Sequence, residues 1–548
     1  MMWAEIDLAG DRTNALHRRQ HSRRASQRHA RLLQALASDL REVGYTLEGV
    51  AELLGESAYA ALNRDQPIPA LIATEAVAAG EPRTAALAAV VRFWLLAVPQ
   101  KAEVLDGALP RTRAEGLAAL GLAKITGTEV VAEADLRPYG WDAGRNGGVE
   151  IWVASDLAAH QRPGVLRHDH VLGIGQASTT LVQTTIRRHA ERALDLGTGC
   201  GIQTFHLLQH SGHVTATDIS ERALAFTRFN LLLNAEPLNI DPARPAERVS
   251  LRLGSLLDPV AGETFDLVVS NPPFVITPRT AGEAAADQFT YRDGGLPGDD
   301  IVASLIRSLP DVLVPGGTAQ LLGNWEIPEG SAWDERPQSW AGPDTDAWFI
   351  QREQVGPEQY AETWLQDASE TRDRRHYQEA YAAYLADFAS RNVGGIGFGM
   401  VFLRRPAGER RIRRFEEITY PIEQPVGPHL GAAVERADWL AAHDVSAAHL
   451  LVAEDVTEER HQRPGAEHPG VILLRQGAGL RRTNLLSTEL AGFVSACDGD
   501  LTAGQIIGAL EALLGGTEGF DGGAFRSGLL TEVANLVRDG FLLPVGPD

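Results

Sequence analysis

Two cysteines, Cys200 and Cys497, are too few in a chain of 548 residues for a disulfide framework or a cysteine metal site. No stretch is apolar for long enough to cross a membrane. The longest apolar run, near Ala85 to Val98, is interrupted by Arg92. The first residues carry no apolar core of a secretory signal, so a reducing cytoplasm is the expected compartment. Positive charge is in deficit: 50 Lys and Arg face 72 Asp and Glu, a net charge of −22. That balance argues against broad, sequence-independent binding of nucleic acid and leaves room only for a local basic path. No acidic or cysteine cluster accompanies the histidines. The run His168-Asp169-His170 therefore reads as an access loop or a packing element, and no metal is expected.

Asn271-Pro272-Pro273-Phe274 is the most informative feature present. It follows Phe265-Asp266-Leu267-Val268-Val269-Ser270, which reads as a buried strand. Two prolines cannot continue a central ladder, so the strand stops here and turns outward at its C-terminal end, where open α/β sheets bind ligands. The turn offers an amide oxygen, a proline carbonyl and an aromatic face. These suit a flat group bearing an NH2, whose hydrogens need acceptors and whose plane can stack.

Upstream, Ala193-Leu194-Asp195-Leu196-Gly197-Thr198-Gly199-Cys200-Gly201 is a short apolar strand running into a glycine turn. A helix from about Gln203 to His210 follows. Such a turn lets a ligand approach the backbone and face a helix N-terminus. A second strand, His213 to Thr217, ends in Asp218, whose carboxylate can accept both hydroxyls of a ribose. The glycine pattern alone also fits dinucleotide folds. Asp195, placed to meet an ammonium before the first glycine, and the later double-proline turn separate the two.

Together these motifs resemble the signature of class I S-adenosylmethionine-dependent methyltransferases. The chain is similar to the branch with an Asn-Pro-Pro-aromatic turn, which holds HemK-like glutamine methyltransferases and RNA or DNA base N-methyltransferases. The resemblance covers roughly residues 150 to 405 and implies a Rossmann-like domain with a seven-stranded mixed sheet. It implies S-adenosylmethionine as donor and S-adenosylhomocysteine as product. Asn271, Pro272, Pro273 and Phe274 become the catalytic turn. Asp195, Gly197, Thr198, Gly199, Gly201, Asp218, Ile219, Ser255, Leu256 and Asn271 become cofactor-binding positions. Asp195 lies at the methionine end and Asp218 at the ribose, while Ser255 stands where relatives often place an acid or amide. Gly175 and Thr179 match a segment that closes over the donor in related enzymes, with a helix cap as the alternative reading. Arg292, within Tyr291 to Leu296, matches a passage that orders the turn; a surface ion pair with Asp293 is its alternative.

Around this α/β domain the chain divides into a basic, disordered arm (1–30), a helical winged-helix-like domain (31–145), the methyltransferase domain (146–405) and a C-terminal α+β domain (406–548), also winged-helix-like. Gly144 to Gly148 reads as a linker. Pro328 to Thr345 reads as an insertion loop or lid, and Pro357 to Arg391 as helical. The expected acceptor is macromolecular, with no membrane partner and no oligomeric state assigned. The acidic chain and Val275-Ile276-Thr277-Pro278 favour a protein glutamine side chain, as in a translation factor. The arginines of residues 12–31, the winged modules and Phe274 favour a base in structured RNA or in DNA. A non-catalytic cofactor-binding protein is the third reading, opposed by the intact turn.

Overall fold

The computed structural model describes residues 15–77, 80–142, 147–159, 161–162, 167, 169–278, 295–367, 374–515 and 520–545. Its centre is an eight-stranded sheet. The strands are β1 (Ala190–Leu196), β2 (Ser211–Asp218), β3 (Val249–Leu253), β4 (Phe265–Ser270), β5 (Leu313–Pro328), β6 (Asp346–Val355), β7 (Val393–Arg404) and β8 (Arg413–Glu417). Across the sheet they run β3-β2-β1-β4-β5-β7-β6-β8. The first five are parallel, and β7 lies antiparallel between β5 and β6. The expected mixed sheet is present, with one strand more than expected.

The central strands are apolar on both faces because both faces are covered. Ala193, Leu267 and Val269 enter one core cluster, while their neighbours Leu194 and Val268 enter the other. The helices that frame the site are α1 (Gln176–Thr184), α2 (Ile202–Leu207), α3 (Glu221–Leu233), α4 (Asp300–Ser308), α5 (Pro357–Asp367) and α6 (Arg374–Ser390). The expected helical stretch 357–391 is thus resolved into α5 and α6.

β8 pairs in parallel with β6, so the central sheet reaches Glu417, beyond residue 405. The segments Asp135–Asp142 and Gly148–Ser155 pair in antiparallel register, and residues 144–146 of the expected linker lie outside the described residues. This strand pair is bound to the central domain. Asn230 of α3 and Asn234, which caps it, exchange hydrogen bonds with the backbone of Ala154 and Trp152, at 2.7–2.9 Å.

Among the described residues the expected arm is helical from Ala15 onward, in the helix Ala15–Val43. No glycine or proline interrupts it before Gly44, which turns the chain at φ +76°. The short strands Gln100–Lys101, Ala123–Thr126 and Glu129–Ala132 form a three-stranded sheet beside the helices Ala102–Ala108 and Arg113–Ala119. The segment 328–345 contains a helix, Glu335–Trp340, with Trp340 buried. Among the described residues no helix is long and apolar enough to cross a membrane.

Glycine is required where β6 and β7 close. A Cβ at Gly399 would stand 2.1 Å from the Ile350 carbonyl oxygen and 2.7 Å from the Trp325 ring. Gly399→Ala is therefore expected to lower unfolding free energy by about 1–3 kcal/mol through overpacking. A denaturant melt with an unchanged midpoint would show that the strands relax without cost.

Candidate active site

Parallel pairing brings the motif-bearing strand ends into line. Leu196 pairs with Thr217 on one side and with Ser270 on the other, and Asp218 pairs with Leu253. The residues that follow, Gly197, Asp218, Gly254 and Asn271, thus lie side by side along the carboxyl edge. Backbone bonds from Gly197 and Thr198 to Thr217 O, and from Gly254 to Asp218 O, close the junctions at 2.9–3.0 Å. Ser270 Oγ donates to Leu196 O at 2.8 Å, joining the glycine turn to the Asn-Pro-Pro-Phe turn.

The glycine turn is built on positive φ: +80° at Gly197, +57° at Gly199 and +101° at Gly201. A side chain at Gly201 would strike the Phe205 ring at 2.6 Å, so that glycine serves packing. A Cβ at Gly199 would meet nothing within 4 Å, so this glycine borders open space that a ligand can use.

Asp195 is fully buried. Its Oδ2 accepts from Thr198 Oγ1 (2.7 Å), Thr204 N (3.0 Å) and Thr204 Oγ1 (2.6 Å), while Oδ1 is buried with no partner. Burial pushes its pKa up to about 6, against the lowering effect of the threonine bonds. Asp218 accepts from Gly199 N at 3.0 Å and Ser220 N at 2.8 Å, and burial raises its pKa as well. Beside it Ile219 is 58% exposed, an apolar side chain left uncovered at the site. Ser255 is exposed, and Leu256 follows at φ +46°, a strained conformation for a residue with a side chain.

At the second turn Asn271 Oδ1 is buried without a partner, and Phe274 is partly buried between the two core clusters. Asn324, on β5, is a third case: fully buried, with Oδ1 unpartnered. Side-chain alternation puts Asp195, Asn271 and Asn324 on one face of the sheet, continuing Ala193, Val269 and Leu322 of a single core cluster. Asp195 near the end of β1, Asn271 just after β4 and Asn324 within the neighbouring β5 therefore carry three unmet acceptors. Such groups are costly unless something donates to them. The donor set fits a zwitterionic nucleoside: the Asp195 carboxylate for an ammonium, Asp218 for a ribose, and Ile219 for an aromatic ring.

Gly175 is the N-terminal cap residue of α1, without a side-chain cap bond, and Thr179 Oγ1 returns to the Gly175 and Gln176 carbonyls. Gln203 Nε2 on α2 donates to Ser178 O at 2.9 Å, so the segment lies against the helix that follows the glycine turn. Arg292 and His168 fall outside the described residues. His170 is buried 3.8 Å from Asp156, and burial lowers its pKa, in keeping with a packing role. Among the described residues no group of histidine, cysteine or carboxylates could hold a metal. Asn324 and Tyr360 belong to none of the sequence motifs; the Tyr360 hydroxyl accepts from Ile276 N at 2.8 Å and Asn324 Nδ2 at 3.2 Å. Their distance from the motifs along the chain left no local signal.

Residues 156–332 match the methyltransferase small domain, and residues 42–133 match a domain of unknown function, DUF7059. The chain is 31% identical over 183 residues to the ribosomal protein uL3 glutamine methyltransferase of Bradyrhizobium diazoefficiens, covering 32% of this chain and 54% of that protein. It is 33% identical over 165 residues to the release factor glutamine methyltransferase of Geobacter sulfurreducens, covering 28% and 51%. Ribosomal RNA small subunit methyltransferase C of Alcanivorax borkumensis is 27% identical over 181 residues, covering 32% and 46%. The chain thus spans about half the length of the curated relatives it matches. With the sheet order and the two turns in place, residues 156–332 match the methyltransferase small domain, and this part of the chain is similar to HemK-like glutamine methyltransferases.

Proposed function

We propose that this protein is an N-methyltransferase that modifies a planar amide or amino nitrogen of a macromolecule, and that the acceptor is a protein glutamine side chain. The unpartnered, buried Asn271 Oδ1 at the end of β4, next to the glycine turn, carries this reading. S-adenosylmethionine supplies, when bound, a methyl group made electrophilic by its sulfonium. Asn271 Oδ1 and the Pro272 carbonyl accept the two N–H groups of the acceptor. This makes its delocalised lone pair more available and fixes its direction, and Phe274 stacks on the plane. Held by Asp195, Asp218 and the glycine turn, the donor would give that methyl to the acceptor nitrogen and keep the carbon–sulfur bonding pair on sulfur, while the nitrogen would lose one N–H proton to water. Asp195 holds the ammonium of the donor, Asp218 its ribose, and Ile219 with Leu256 flanks the base beside Ser255. Gly175 and Thr179 border the donor.

A glutamine acceptor is supported by the net charge of −22, which opposes a polyanion, and by two relatives named as glutamine methyltransferases. An RNA base remains the second reading. It is supported by the relative named for ribosomal RNA and by the order of helix, strand, two helices and hairpin over residues 82–132, which suits a winged-helix module. The proposed setting is the cytoplasm. Radiolabelled S-adenosylmethionine with the purified protein and a lysate lacking it tests the proposal. Label that survives ribonuclease and is lost to protease is expected. Label lost to ribonuclease would replace glutamine by an RNA base.

A further inference from the structure

The Asn-Pro-Pro-Phe turn has a mechanical problem. Pro272 and Pro273 contribute no N–H, so the backbone that presents Asn271 Oδ1 and the Pro272 carbonyl has two fewer donors with which to hold itself in place. Just beyond it, Ile276 is buried, and its N–H donates to the hydroxyl of Tyr360, 84 residues away. Tyr360 is 1% exposed on α5, stacked on Phe398 of β7 (5.8 Å, 18°) and edge-on to Phe388 of α6 (5.4 Å, 86°). The same hydroxyl accepts from Asn324 Nδ2 of β5. One buried oxygen therefore joins the turn, the adjoining sheet strand and the α5–α6 hairpin. The hairpin lies outside residues 156–332, the stretch matched by the methyltransferase small domain. A phenylalanine would fill the same aromatic cluster; only the hydroxyl reaches Ile276.

We propose that Tyr360, with Asn324, is a positioning residue that fixes the Asn-Pro-Pro-Phe turn in the geometry needed for methyl transfer. The inference rests on the methyltransferase reading given above. Because rate in such a site comes from placing acceptor and donor in line, loss of one anchor lowers turnover without touching the donor pocket. The hairpin bears on the site through the Tyr360 hydroxyl.

Tyr360→Phe keeps the ring and its stacking and removes only the hydroxyl. The expected result is a kcat lower by about 10- to 100-fold, with the dissociation constant for S-adenosylmethionine within about twofold of the parent, since no donor-pocket contact changes. Hydrogen exchange of the peptide containing Ile276 should accelerate at the same time, because its amide loses its acceptor. Tyr377→Phe, on α6 of the same hairpin, is the control and should leave both unchanged. A parent protein that transfers methyl while Tyr360→Phe keeps the parental kcat overturns the positioning role alone. A fall in cofactor affinity equal to the fall in kcat would mark a general structural defect and overturn it also. A parent that binds S-adenosylmethionine and transfers nothing overturns the methyltransferase reading itself.

Discussion

Asn271→Ala is expected to bind S-adenosylmethionine as the parent does and to turn over about 100- to 1000-fold more slowly, the scale seen when one preorganised polar contact to a reacting group is removed. The side chain sits at the end of β4, its Oδ1 buried without a partner, so truncation frees the protein of an unmet acceptor while removing the contact the acceptor nitrogen needs. Folding should therefore be unharmed, and a thermal melt beside the parent checks it. Calorimetric titration with S-adenosylmethionine separates binding from chemistry. Asn271→Asp should recover little, because a full negative charge in that buried site carries its own desolvation cost. Undiminished transfer by the alanine variant would remove the turn from the mechanism.

The second large effect concerns pH. Burial holds Asp195 near pKa 6, above its ordinary 3.8. With the site empty, a raised carboxyl pKa favours the fold at low pH. That advantage is lost as pH climbs from about 4 through 6, by up to roughly 3 kcal/mol for two pKa units. An ammonium placed against the unpartnered Oδ1 favours the ionised form and pulls the pKa back down. Below about pH 6, binding of S-adenosylmethionine must then release a proton, and affinity should rise by as much as about 30-fold between pH 4.5 and 7.5 before levelling. Titrations in buffers of different ionisation enthalpy measure that proton directly. Asp218 is also shifted upward by burial, so Asp195→Asn is the separating variant. It should abolish most of the pH dependence and weaken binding at pH 7.5. An affinity flat from pH 5 to 7.5 in the parent would place the ammonium elsewhere.

The strands and turns of the site were legible because their signals are local. A doubly buried parallel strand writes itself as an apolar run, a glycine turn announces positive φ, and two prolines end a ladder wherever they fall. The glycines at 197, 199 and 201 and the stop after Ser270 all lie where those rules put them. The outer pairings are hidden for the opposite reason. Arg413–Glu417 is charged and short, and only its pairing with β6 makes it a sheet strand. The pairing of Asp142 with Gly148 is likewise one that no local signal announces.

The central strands and the two turns that lie side by side at the sheet edge could be read from the sequence, since each depends on residues within a few positions of one another. What holds those turns is a matter of long-range contact. Ile276 meets Tyr360, and Asp195, Asn271 and Asn324 share one face with their oxygens unmet. Those relations depend on which strands lie side by side. Pairing order is set by the burial of whole surfaces, and no short stretch of the chain encodes it.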